Sequence, residues 1–301
     1  MDSKAVARSF SIVGFMVFGV AMLREGFAWL FSKLFEDTGN AYLTVLLPIV
    51  LLYVIAIPIM WQVVKANVKA NTISSQTPEK YKIPAGTLVA WFLIVLAVTR
   101  LVSMVVPMAI NAVSGKVFED PVTSLQLESP WMMFFLVVLV APVAEETIFR
   151  GFLYKVLAPY GAKFFVLTSA ILFSLFHENI GQIPSTFLLG VFFACVMYRT
   201  GDVRITILLH FINNLISGIA MLFFGSETGK MAAGVVVLVL IAVGIVVGIV
   251  WLATKRAKRD VFFDPAPVVP ARAGNAFGNI GIILVVAALI ALTIVVMMNS
   301  M

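Results

Sequence analysis

The sequence predicts an all-α, polytopic integral-membrane bundle of about eight or nine transmembrane helices, and three observations predict it. Of 301 residues, 61% are hydrophobic and only 12% are charged, against about 25% charged in a typical soluble domain. Apolar runs of about 18 residues or more recur along the whole chain. These runs are continuous and do not alternate, which excludes a transmembrane β-barrel.

The runs define nine spans: 9–32, 41–64, 85–110, 131–157, 163–178, 183–199, 203–225, 231–253 and 278–298. At about 1.5 Å per residue, roughly 20 residues cross about 30 Å of hydrocarbon. The fifth and sixth spans are short, so they either stop within the bilayer or line a cavity where the length rule is relaxed. The first span runs from Phe10 past Arg24 and Glu25 to Phe31 without a clear small-residue cleavage site. It reads as a retained helix rather than a signal peptide.

Basic and non-basic loops alternate between these spans. Lys4 and Arg8 precede the first, Glu36 and Asp37 follow it, and Lys65, Lys69, Lys80 and Lys82 follow the second. Glu119, Asp120 and Glu128 follow the third, and Lys255, Arg256, Lys258, Arg259 and Arg272 crowd the last loop. The positive-inside rule then predicts a multi-pass cell-membrane protein with a cytoplasmic N-terminus and an external C-terminus. Residues 65–84 and 254–277 read as solvated loops whose basic runs can touch anionic headgroups. The chain reads as one integral-membrane domain, 1–301, without internal repeats. The net charge of +6 belongs to the cytoplasmic loops, and no segment forms a basic soluble domain for nucleic acid. Cys195 is the single cysteine, which excludes an intramolecular disulfide and a multi-cysteine zinc site.

Against this background, Glu145, Glu146 and Arg150 stand out in the greasy stretch from Trp131 to Leu157. Each charge at membrane depth costs about 2.5–3.5 kcal/mol on insertion scales. Adjacent carboxylates diverge by about 100° on a helix, whereas Glu146 and Arg150, four apart, share a face and suit a salt bridge. Arg150 can therefore neutralise Glu146 and leave Glu145 free for chemistry. A purely architectural network is the bland alternative, but it leaves one charge unmatched.

Both histidines, His177 and His210, fall in spans. A membrane histidine is by itself more often a helix–helix hydrogen bond than a catalyst. Depth argues otherwise here. Counted from the basic ends of their spans, Glu145 lies roughly 18 Å in, His177 roughly 21 Å, His210 roughly 10 Å and Asn214 roughly 16 Å. Carboxylate, imidazole and amide groups from three helices can thus meet in one middle band. Carboxylate plus imidazole can deprotonate a water, and a second imidazole plus an amide can stabilise an oxyanion. That set suits hydrolysis of an amide bond. Glu145, His177 and His210 are also a ligand set that can hold one zinc ion, although the HExxH motif is absent.

These residues resemble the three motifs of the CPBP family, the type II CAAX prenyl proteases and the bacteriocin-processing or Abi proteins. The matching patterns are Glu145-Glu146-x-x-x-Arg150, Phe173-x-x-x-His177 and His210-x-x-x-Asn214. The resemblance covers roughly residues 85–225. It implies an intramembrane endopeptidase acting on a membrane-associated peptide or protein, with Glu145 and His177 activating water. His210 and Asn214 would form the oxyanion site, and Glu146 and Arg150 would orient the first carboxylate. The motif is compatible both with a metalloprotease holding one divalent metal and with a metal-free glutamate protease. Helical spacing points Asn214, rather than Asn213, inward. A non-proteolytic binding protein, such as a bacteriocin-immunity factor using the same cavity, is the alternative reading. A proton-coupled transporter is disfavoured by the lack of repeats. Arg24, Glu25 and Arg100 are less telling: Arg100 can pair with a core carboxylate, and Lys155 is expected to snorkel.

Overall fold

The computed structural model describes residues 3–70, 78–115, 129–223, 226–254 and 272–299. The acidic residues Glu119, Asp120 and Glu128 and the basic cluster at 255–259 lie outside the described residues. Ten helices account for the described chain: α1 (Ser3–Leu34), α2 (Leu47–Ala70), α3 (Ala85–Ser114), α4 (Pro130–Tyr160), α5 (Ala162–Leu175), α6 (Ile183–Thr200), α7 (Val203–Phe223), α8 (Glu227–Ala253), the short α9 (Ala273–Phe277) and α10 (Ile280–Asn299). Among the described residues there is no strand. Seven helices are long and apolar enough to cross a membrane, and two shorter apolar helices lie at 162–175 and 203–219. Each of the nine expected spans thus falls on a helix over its described residues, the fifth only in part.

The fifth span ends earlier than expected. Helix α5 has 14 residues and rises only about 21 Å, short of a crossing. His177 lies in the turn beyond it, not in the helix. The turn satisfies its own backbone: the N–H of Glu178 donates to the Leu175 carbonyl and that of Gln182 to the Asn179 carbonyl. The Asn179 side chain accepts from the N–H of Gly181 at 3.0 Å. His177, Gly181 and Gln182 line a cavity, so the short span is of the cavity-lining kind, where irregular backbone is tolerated at depth.

The basic ends of the helices gather at one end of the bundle. Phe10 near the start of α1 packs on Tyr160 at the end of α4 and on Phe277 of α9, with ring centroids 5.7 and 6.0 Å apart. Ser9 and Tyr160 join their hydroxyls at 2.9 Å. The N–H of Tyr81, just before α3, donates to the carbonyl of Arg199 at the end of α6. Helix α4 runs through the middle, with Phe149, Leu153, Val156 and Leu157 fully buried. By contrast, α8 leaves Val235, Leu238, Val246 and Ile249 exposed. Such a face is stable only where the surrounding solvent is hydrocarbon.

Helices α1 and α10 cross at backbone contact. A Cβ on Gly14 would collide with the backbone of Gly281, whereas one on Gly19 would meet nothing. Gly14→Leu is expected to force the helices apart and cost about 1–3 kcal/mol, seen as a lower unfolding temperature in detergent. Gly19→Leu should leave that temperature unchanged.

Candidate active site

The site begins with irregularities in α4. Two π-helical turns, Phe135–Val140 and Thr147–Phe152, flank an α-helical segment, Ala141–Glu146. Single π turns of this kind often mark functional places in helices. In the first turn the N–H of Ala141 donates to the Leu136 carbonyl. In that register Pro142 falls opposite Val137 and has no N–H to offer. The Asn214 amide of α7 fills the gap, its Nδ2 donating to the Val137 carbonyl at 2.8 Å.

The two adjacent glutamates diverge. Glu146 is fully buried. Its Oε1 accepts from Arg150 Nη1 and lies equally close to His210 Nδ1, both at 2.9 Å. A carboxylate paired with arginine only accepts, so His210 carries its proton on Nδ1 and turns Nε2 away. That Nε2 stands 4.0 Å from Glu145 Oε2. Arg150 also donates to the Gly190 carbonyl of α6 at 3.2 Å and lies over the Phe173 ring at 4.1 Å. Phe173 and Phe193 in turn flank the His210 ring.

A cavity of about 500 Å³ brings Glu145, His177, His210 and Asn214 onto one surface. Glu146 and Arg150 stand behind it rather than in its lining. His177 Nδ1 lies 2.9 Å from the Phe173 carbonyl. A carbonyl only accepts, so Nδ1 is the protonated nitrogen and Nε2 keeps its lone pair.

Asn213 and Asn214 both line the cavity, so helical spacing does not single out Asn214. Asn213 donates to Asn214 Oδ1 at 2.8 Å and accepts from Arg100 Nη2 at 3.0 Å. Among the described residues Arg100 therefore pairs with an amide and not with a carboxylate. Among the described residues, no three or more His, Cys, Asp or Glu side chains gather closely enough to hold a metal ion. Glu145, His177 and His210, which as a ligand set could hold one zinc ion, do not form such a group in this arrangement.

Arg24 is the neighbour whose importance sequence reading underrated. From α1 it forms an ion pair with Glu178, donates to the Phe176 carbonyl at 2.7 Å and lies 4.4 Å from the centre of the Phe176 ring. Glu178 has φ of +53°, a left-handed conformation that costs a non-glycine residue about 1–2 kcal/mol. Arg24 clamps the strained turn that carries His177. The pattern Asn179-x-Gly181 was the available sign that α5 would stop short.

Residues 127–216 match the family model described as type II CAAX prenyl endopeptidase Rce1-like. The match contains all three motifs that carry the CPBP resemblance. It does not reach α1 or α3, although Arg24 and Arg100 hold parts of the site. No curated protein and no solved structure matches the chain.

Two outcomes follow from this geometry. Glu146→Ala would strand Arg150 in the interior and is expected to cost about 3–5 kcal/mol, whereas Glu145→Ala should leave the unfolding temperature near that of the wild type. Arg24→Gln is expected to speed amide hydrogen exchange at residues 176–182 while leaving α3 and α6 protected.

Proposed function

We propose that this chain is an intramembrane endopeptidase that hydrolyses a peptide bond of a membrane-associated protein or peptide. The observation that carries this reading is the division of labour between adjacent carboxylates. Glu146 is committed to Arg150 and His210, while Glu145 lines the cavity together with His177 and His210. The family match over 127–216 supports the same reaction class.

In the proposed reaction, a water held by Glu145 and by Nε2 of His177 attacks the scissile carbonyl carbon. Glu145 takes the proton of that water. The negative charge moves to the carbonyl oxygen, which accepts from His210 Nε2–H and from the second N–H of Asn214 Nδ2. On collapse the C–N bond breaks, and protonated Glu145 returns its proton to the leaving amine. The products are a carboxylic acid and an amine, and the acid's remaining proton passes to the amine to leave a carboxylate and an ammonium. In this step His210 would act with both nitrogens protonated, Nδ1–H on Glu146 and Nε2–H on the oxyanion. Asn213 and Arg100 act as a brace for the Asn214 amide. With the basic helix ends placed in the cytoplasm by the positive-inside rule, the N-terminus is inside and α10 runs outward.

The test is cleavage of a pool of membrane-anchored peptides by purified protein in detergent, read by mass spectrometry. Wild type should cut, and Glu145→Ala should lose about a hundredfold to ten-thousandfold in rate while keeping its fold. A chelator should leave the rate unchanged if side chains alone activate water. A loss restored by added zinc would instead assign activation to a metal. A cellular phenotype that survives Glu145→Ala would favour a binding protein that uses the cavity without cleavage.

A further inference from the structure

A second cavity, of about 720 Å³, lies among the ends of α2, α4, α6 and α7. Its floor is apolar and aromatic, formed by Trp61, Val64, Tyr154 and Met197. Its rim carries five cations, Lys65, Lys69, Lys80, Lys155 and Arg204, against the single carboxylate of Asp202. That carboxylate is already committed: Arg204 grips it through Nε at 2.9 Å and Nη2 at 2.7 Å. These bonds hold the Asp202 carboxyl below the usual carboxylate range, so it stays ionised against Arg204.

Among the described residues, none of the four lysines at this pocket forms an ion pair with a carboxylate, in contrast to Lys33 and Lys230. Lys65 and Lys155 instead converge on one indole, their ammonium nitrogens 5.1 and 4.6 Å from the Trp61 ring centre. Two like charges gathered over one ring repel each other unless an anion joins them. The Tyr154 side chain in that floor is buried, and its hydroxyl has no hydrogen-bond partner among the described residues.

We propose that this pocket binds the headgroup of an anionic phospholipid, with its phosphate between Lys65 and Lys155 and its acyl chain along the apolar floor. Three features point to a lipid rather than a soluble anion. The floor residues belong to membrane spans, so the pocket opens where hydrocarbon meets water. Trp61 has the amphipathic ring that settles at that interface. The pocket sits at the end of the bundle where the basic loops gather, and basic clefts between spans are suited to anionic headgroups. A zwitterionic headgroup would turn its own cation toward the lysines and gain little.

Native mass spectrometry of the full chain in detergent tests this, with phosphatidylglycerol and phosphatidylcholine of identical chains in competition. Wild type should retain phosphatidylglycerol selectively, and that lipid should raise its unfolding temperature. Lys65→Gln with Lys155→Gln should weaken retention about thirtyfold, from about fivefold per lysine near an anionic surface. Lys33→Gln with Lys230→Gln, at the opposite end, should bind as wild type. Unfolding temperature without lipid checks that both double variants fold. Equal retention of the two lipids, or a Lys65/Lys155 variant that binds as wild type, overturns the proposal. So does inorganic phosphate that raises the unfolding temperature as much as the lipid does, since that would make the site one for soluble anions. None of these readouts depends on proteolysis.

Discussion

A carboxylate that cannot reach water governs the centre of this protein. Glu146 has no exposure, and an ion removed from water at that depth is tolerable only with close, well-aligned partners. Arg150 and His210 supply them at 2.9 Å. Each partner then makes demands of its own. The guanidinium also donates from Nη2 to the Gly190 carbonyl and lies over Phe173 and Phe193, while its Nε has no hydrogen-bond partner among the described residues. One buried charge in α4 thereby sets the approach of α5, α6 and α7. It also sets the proton on Nδ1 of His210 and so decides which nitrogen faces the cavity.

Backbone irregularity does related work. Pro142 deprives Val137 of a donor, and Asn214 restores one. The same amide that stands in the cavity lining is thus held by a repair to the helix beside it, and its second N–H is left for a ligand. Ser169 makes a similar repair, donating to the Phe149 carbonyl within the second π turn at 2.8 Å. Irregular turns in α4 therefore recruit side chains from neighbouring helices and fix them, without any additional charge being buried.

What the sequence reveals follows the range of the interactions. Long apolar spans are legible because lipid as a solvent requires them. The Glu146–Arg150 pair is legible because it is local, four residues along one helix. The end of α5 is not legible because Phe173–His177 is apolar enough to continue a span, while the tertiary clamp that holds the turn comes from Arg24, 152 residues before Phe176. Arg100 and Asn213 are 113 residues apart, and no periodicity connects them. Hydropathy reports how deep a residue can lie, but not which polar partner it meets there.

The division between the matched segment and its flanks has a physical logic. The segment 127–216 holds both carboxylates, both histidines and both asparagines of the proposed reaction. The cations that brace its most constrained parts come from elsewhere: Arg24 of α1 on the His177 turn, and Arg100 of α3 on Asn213. Arg150 alone cannot serve all of these places, since its guanidinium is confined between Glu146, Gly190 and Phe173. A left-handed Glu178 without its arginine would trade backbone strain for a more ordinary turn and would carry His177 with it. The geometry of the cavity therefore depends on helices outside the segment that carries its chemistry. Exchanging α1 or α3 for apolar spans of equal length would keep the membrane topology and lose the alignment of the site.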